Sequence, residues 1–317
     1  DESLPASLAH EGENMLFAIV QDLLLLGQIH LTIIQDARLD PHRWEPYASR
    51  ITVKTSASRL EFEAHWQTTL SEQSFFLLIA PETDNILYAL QQQVLQAGKH
   101  YLGCSLQATQ ICTDKRQSYQ QLVQANIPTP TTFSADKALL DCCLIDQPYI
   151  VKPVDGAGCL DTHKFATLTQ TRDFLIGMPP SHRANFLVQP YIEGEILSLT
   201  IYRSAEALLL LSINQQLIEQ QAQQFVFHGC VTNFDHSKHF SRQQAMKLAG
   251  SVDDAIDGLA GYIGIDFILT AQGPVVVDIN PRLTTAYVNL SHSGQSNPAL
   301  PLWQNLQRLI QKETSYA

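Results

Sequence analysis

Leu16, Ile19, Val20, Leu23 and Leu24 recur at helical spacing between Glu11 and Leu26, which predicts a helix, and Ile29–Ile34 follows as a short strand. Phe75–Ala80 (FFLLIA) is a continuous apolar run of strand length. Helical periodicity over Asp84–Ala97 follows it and stops at Gly98. Alternating strands and helices favour a parallel sheet, so the chain up to about residue 102 reads as an α/β lobe. It carries no G-x-G-x-x-G turn, and nothing in it points to a dinucleotide.

Thr113 is placed to cap a helix reaching Asn126, and the I-P-T-P segment at Ile127–Pro130 breaks it. Beyond the break, strands are expected at Pro148–Val151, Phe186–Pro190, Leu197–Tyr202, Ala207–Ile213 and Phe225–Val231, with a helix over Thr169–Met178. A helix at Ser241–Leu259 leads into paired strands, Asp266–Leu269 and Pro274–Ile279, turned at Ala271–Gly273. The glutamine-rich stretch Gln215–Gln224 reads as a loop or solvated strand edge. The expected division is 1–104, an N-terminal α/β domain; 105–190, a small lobe with a glycine loop; and 191–317, a C-terminal lobe.

Hydrophobic residues make up 45% and charged residues 16% of the 317, as in a well-folded globular chain. A net charge of -11 opposes nucleic acid and anionic membrane partners. The longest apolar run, Asn14–Gly27, is interrupted by Gln21 and Asp22 and is too short to span a bilayer. Cys104, Cys112, Cys142, Cys143, Cys159 and Cys230 form neither a C-x-x-C pair nor a zinc spacing, so reduced thiols and a cytoplasmic setting are expected. The adjacent Cys142 and Cys143 read as a buried element end rather than a redox device. Asp1 is expected to follow a removed tag or leader.

The C-terminal hairpin carries the strongest chemical signal. Strand alternation projects Asp278 and Asn280 to one side and turns Ile279 into the core, and a neighbouring strand brings Asp266. Oxygen ligands of this kind suit Mg²⁺, with Mn²⁺ as the alternative; a solvated turn with incidental acids is the bland reading. In Y-I-V-K-P-V-D-G-A-G-C, Gly156 and Gly158 bring backbone N–H groups toward anionic oxygens and Lys152 adds a cation. The segment is no Walker A loop, and an ordinary turn remains open. Lys115, in T-D-K-R, stands where it reaches the same phosphates or lies on the surface. Glu82 and Asp84, just past a strand end, are candidates to hold a substrate amine, and Asp84 equally a helix cap. Thr284 and Thr285 line an acceptor pocket or cap the last helices. His163 and His228 belong to no metal-binding pattern and read as loop or core residues.

Taken in order from about Thr113 to Leu290, these segments resemble the ATP-grasp superfamily. The resemblance implies an α/β and α+β architecture: an ATP-grasp fold behind a Rossmann-like, pre-ATP-grasp lobe. It implies that Lys115 and Lys152 bind ATP phosphates beneath the glycine loop. V-Q-P-Y-I-E-G-E would hold adenine through Gln189, Tyr191 and Ile192, with Val277 on the other face of the base. The family's ribose acid is out of register, Ile196 standing at its place, which leaves Glu195 or Glu193 for that contact. The family's metal-binding E-x-N stands as Asp278-Ile279-Asn280, and Cys159 replaces a small polar loop residue. Arg282 falls where family members contact the transferred phosphoryl group or a substrate carboxylate; an ion pair with a nearby acid is the structural alternative.

The strings A-P-E-T-D, D-G-A-G-C and D-I-N-P-R-L-T-T look most like the group containing tyramine–glutamate ligase of methanofuran synthesis, with relatives in methylofuran formation. That likeness implies small-molecule carboxylate and amine substrates: the glutamate γ-carboxylate, joined through an acyl phosphate to tyramine or tyrosine. Homodimers are common in the superfamily. A kinase of the same fold, or a nucleotide-binding module without ligase activity, are the alternatives.

Overall fold

The computed structural model describes residues 6–140, 144–156, 158–233, 240–292 and 296–316; Asp1, Cys142 and Cys143 lie outside the described residues. The chain divides into two compact units, one of residues 1–79, 89–102 and 287–317, the other of 80–88 and 103–286.

In the first unit the predicted helix runs over Ala6–Leu26, burying Met15, Ile19, Val20, Leu23 and Leu24. Leu31–Asp36 pairs in parallel with Ile51–Ser56. Sequence reading missed that second strand and the helix Arg59–Glu72, which buries only Trp66, Thr69 and Leu70 and so shows almost no apolar stripe. The Phe75–Ala80 run is paired only at Phe75–Phe76, in parallel with His100–Tyr101. The ladder is short because its partner strand is, ending just before Leu102, whose N–H closes on the Phe76 carbonyl. Parallel pairing is therefore present, but in two separate two-stranded ladders rather than one sheet. Asp22 lies buried in the Ala6–Leu26 helix and accepts from Tyr287 Oη at 2.8 Å and Ser291 Oγ at 3.0 Å. These bonds fasten helix Ala286–His292 to the first helix.

The second unit is built on a nine-stranded antiparallel sheet. From one edge its order is Gly273–Asn280, Gly261–Thr270, Glu195–Arg203, Leu208–Gln221, Gln224–Thr232, His163–Phe165, Tyr149–Pro153, Phe186–Pro190 and Phe133–Ser134. Leu197, Leu199, Ile201, Ile263, Ile265 and Phe267 alternate onto one face and form a core with Ala245, Leu248, Ala249 and Val252 of helix Arg242–Ala255. That helix begins at a capping box between Ser241 and Gln244. A smaller core joins Tyr149, Val151, Phe186 and Val188 to helices Ala135–Leu140 and Leu168–Gly177. The glutamine-rich stretch is the end of a strand, Leu208–Gln221, paired as far as Gln221 with Gln224.

One cap differs from expectation. Thr113 is the last residue of a helix, Leu106–Thr113, and the next helix, Lys115–Gln124, is capped by Asp114, whose carboxylate accepts the Arg116 N–H. An aspartate at the N-cap offers an ionised acceptor to the helix's free N–H groups, so the boundary falls one residue later and Lys115 opens the new helix. Among the described residues, no helix is long and apolar enough to cross a membrane.

Replacing Asp22 by Ala removes the acceptor shared by the Tyr287 and Ser291 hydroxyls, and we expect a loss of about 1–3 kcal/mol in urea-induced unfolding, with Asp22→Asn retaining part of it. An unchanged unfolding midpoint in Asp22→Ala would show that the helix junction does not depend on these bonds.

Candidate active site

The chemistry gathers on the C-terminal hairpin because the hairpin is irregular. Asp266 faces Asp278 and Phe267 faces Val276, so Val277 is an extra residue on its strand, a β-bulge. In a regular strand Val276 and Asp278 would share a face. With the bulge, Val276 and Ile279 both enter the core while Asp278 and Asn280 are left on the opposite side with Asp266. Asn280 Nδ2 donates to Asp266 Oδ2 at 3.2 Å. The face predicted by alternation is correct for these three residues, but only because the ladder breaks one residue earlier.

Both predicted lysines reach this face. Lys115 Nζ lies 3.0 Å from Asp278 Oδ2 and donates to the Gly156 carbonyl at 2.8 Å. Lys152 Nζ, at the end of strand Tyr149–Pro153, donates to the carbonyl of the bulged Val277 at 3.3 Å. Gly158 and Cys159 adopt left-handed backbone with φ of 61° and 62°, a geometry costly for cysteine and ordinary for glycine.

Burial sets the protonation pattern. It pushes the Lys152 ammonium down to about 8, although the Asp278 charge opposes the shift. Burial, with the neighbouring Asp278 charge, raises Asp266 to about 7. The Cys159 thiol rises to about 11, first through burial and then through Asp266, so it stays protonated at neutral pH and is no nucleophile.

The other expected residues sit around this cluster. Gln189 is buried and donates to Thr132 Oγ1 at 2.8 Å, while Tyr191 and Ile192 follow directly on its strand. Val277 is half-buried on the bulge, and Glu193 and Glu195 are exposed, Glu195 opposite Leu269. Between them Gly194 lies so near the hairpin that a Cβ there would stand 2.5 Å from the Leu269 carbonyl oxygen. Thr284 fills the space above Gly264, where a Cβ would meet its methyl at 2.6 Å; Thr285 directly precedes helix Ala286–His292. Arg282 forms an ion pair with Glu82 at 2.8 Å, and the Asp84 N–H donates to Asp155 Oδ2 at 2.9 Å. His163 lies against Phe174, and His228 pairs with Glu219 at the surface.

Two neighbours escaped the sequence reading. Gln216 donates to Asp266 Oδ1 at 2.7 Å from a strand two places away in the sheet, so both oxygens of that carboxylate hold amide N–H groups. Lys164 places its ammonium 3.5 Å from the centre of the Tyr191 ring. Neither contact follows from local pattern, since each depends on strand order.

Residues 112–286 match the family model described as an ATP-grasp domain, and residues 29–109 match one described as a pre ATP-grasp 3 domain. The chain is 31% identical over 216 residues to tyramine–L-glutamate ligase of Methanocaldococcus fervens, covering 68% of this chain and 61% of the relative. It is 30% identical over 227 residues to that of Methanocaldococcus jannaschii, covering 71% and 60%. The chain thus spans about three fifths of the length of these curated relatives. A putative ATP-grasp superfamily protein from Archaeoglobus fulgidus superposes with a TM-score of 0.63 at 22% identity, over 86% of this chain and 87% of that one.

With its folded-state pKa above the ordinary 3.8, Asp266 stabilises the metal-free protein most at low pH, and this contribution is lost as pH rises through about 7. Asp278→Asn removes the charge that helps hold the value up, so the Asp266 carboxyl resonance in ¹³C NMR should titrate at lower pH. A value that stays near 7 would assign the shift to burial alone.

Proposed function

Because this chain belongs to the ATP-grasp family, with a pre-ATP-grasp domain before it, we propose that it is an ATP-dependent carboxylate–amine ligase working through an acyl phosphate. The observation that carries this reading is one half-buried cluster in which Lys115, Lys152 and the glycine loop meet Asp266, Asp278 and Asn280. Phosphate-binding cations and hard oxygen donors side by side suit a nucleotide with its divalent ion. The likeness to tyramine–glutamate ligases supports glutamate as the carboxylate and tyramine or tyrosine as the amine, in formation of a methanofuran- or methylofuran-type cofactor.

The donor set fits a divalent cation. Two carboxylates face each other across one ladder position, and the charge of Asp278 helps push Asp266 up, a repulsion that a bound cation relieves. Asp266, Asp278 and Asn280 would hold Mg²⁺, or Mn²⁺ in its place, and the ion would neutralise phosphate oxygens during transfer.

In the proposed reaction a γ-carboxylate oxygen of glutamate attacks the γ-phosphorus of ATP and ADP leaves. The amine nitrogen then attacks the acyl carbon, phosphate departs with the bonding pair, and the nitrogen loses a proton to give the amide. Lys115 and Lys152 balance charge on the phosphates, and the backbone at Gly156 and Gly158 lies against them. Gln189, Tyr191, Ile192 and Val277 border the base, Glu195 contacts ribose, and Arg282 binds an oxyanion of the carboxylate or transferred phosphoryl group. Thr284 and Thr285 line the acceptor side. Residues 1–104, 105–190 and 191–317 serve as pre-ATP-grasp domain, glycine-loop lobe and metal-bearing lobe. The same reading makes the partners small molecules and the setting cytoplasmic, and it is compatible with a homodimer, an assembly common in the superfamily.

Incubation with Mg-ATP, glutamate and tyramine or tyrosine should release both ADP and phosphate only when the amine is present, with a γ-glutamyl amide in the mass spectrum. ADP without phosphate would mean a kinase instead. Asp278→Ala should abolish metal-dependent turnover in a protein that still unfolds cooperatively, and retained turnover would remove Asp278 from the metal set. Lys152→Ala should weaken ATP binding more than amine binding; equal losses would argue against its contact with phosphate.

A further inference from the structure

The turn at residues 82–85 holds two parts of the site that are far away in sequence. Glu82 and Arg282, 200 residues apart, form a two-pronged pair: Nε to Oε1 and Nη2 to Oε2, each at 2.8 Å, with side-chain exposures of 7% and 12%. The neighbouring Asp84 N–H donates to Asp155 Oδ2 at 2.9 Å, beside the first glycine of the phosphate-binding loop. Asp84 and Asn85 are both left-handed, with φ of 55° and 58°. Two successive residues in that region are held there by their surroundings, and Asp and Asn tolerate it better than other side chains.

A guanidinium has five N–H donors. Glu82 accepts a hydrogen bond from Nη2 and stands 2.8 Å from Nε as an ion contact without hydrogen-bond geometry, and the Leu283 carbonyl accepts from Nη1 at 3.0 Å. Among the described residues this leaves one N–H on each terminal nitrogen for a further acceptor. The other Glu82 oxygen, Oε1, is closed off from solvent without a hydrogen bond of its own, and the cation it faces is Arg282 Nε at 2.8 Å.

We propose that Glu82 is a positioning residue: it fixes the Arg282 guanidinium so that the two remaining terminal N–H groups meet an oxyanion of the substrate. The turn that carries Glu82 also anchors the stem of the phosphate-binding loop through Asp155. This reassigns Glu82 from the substrate amine to Arg282, and it rests on the ligase reading for the identity of the oxyanion.

The test is a double-mutant cycle on Glu82→Gln and Arg282→Ala, followed by amine-dependent ADP release, with Mg-ATP affinity measured separately by calorimetry. Misplacing a guanidinium by about 1 Å predicts a kcat loss of about 10²-fold in Glu82→Gln, with the amine KM and ATP affinity within about threefold of wild type. The double variant should be no slower than Arg282→Ala alone. Losses that multiply, or a raised amine KM with kcat intact, would overturn the proposal and return Glu82 to the substrate. Where Glu82→Gln does not fold, Glu82→Asp replaces it and should lose kcat to a lesser degree.

A readout without turnover separates this proposal from the choice of substrates. In the wild type the Arg282 Nη2–H signal in ¹⁵N NMR, hydrogen-bonded to Glu82 Oε2, should exchange slowly with water, and in the Glu82 variant it should exchange fast. Slow exchange in both would overturn the positioning role even if no substrate on the panel is used. Slow exchange only in the wild type, with no ADP released, would uphold it and fail the ligase reading alone.

Discussion

One inserted residue organises the site. If the hairpin paired without the Val277 bulge, Asp278 would follow Val276 into the apolar core, and an ionised carboxylate there would cost far more than the fold could offset. The bulge turns the strand once, sends Asp278 and Asn280 to the polar face, and presents the Val277 carbonyl, freed from regular pairing, to the Lys152 ammonium. Lysine, acid and amide are thus brought together by a backbone irregularity, and the surrounding strands hold it in place. Gly194 and Gly264, each too close to its neighbours for a side chain, are where other segments close in on the same hairpin.

The cluster is balanced charge against charge. Lys115 neutralises Asp278, amide donors from Asn280 and Gln216 occupy both oxygens of Asp266, and Glu82 neutralises Arg282. Buried ion pairs of this kind contribute little net stability, because desolvation cancels most of the attraction. Their value is orientation: every charged group in the site already points at a partner of the sort a phosphate, a carboxylate or a divalent ion would replace.

Much of this could be read from the sequence, and the limits have physical causes. The first helix, the antiparallel strands Phe186–Pro190 and Phe225–Val231, and the closing hairpin announce themselves through apolar periodicity, which depends on near neighbours only. Helix Arg59–Glu72 was invisible because it buries three residues, and strand Ile51–Ser56 because only two apolar residues, Ile51 and Val53, carry its alternation before it gives way to Lys54, Thr55 and Ser56. Lys115, Lys152, Asp266, Asp278 and Asn280 stood out by residue type and order, and they do meet in space. Gln216 and the partnership of Glu82 with Arg282 did not, since nothing local ties a strand edge to a distant carboxylate, or a turn near residue 82 to an arginine near the end of the sheet.

The Lys115–Asp278 pair bears on the order in which a site like this fills. An ammonium already occupies the carboxylate oxygen that a metal ion would use, so an ion arriving alone must leave a lysine buried without a counter-charge. An ion arriving on a polyphosphate brings the lysine a new partner in the same event, and the exchange becomes nearly neutral in charge. If the site holds an ion as proposed, the resting pair would act as a placeholder that favours joint over stepwise loading and would discriminate against free cations by charge balance rather than by size.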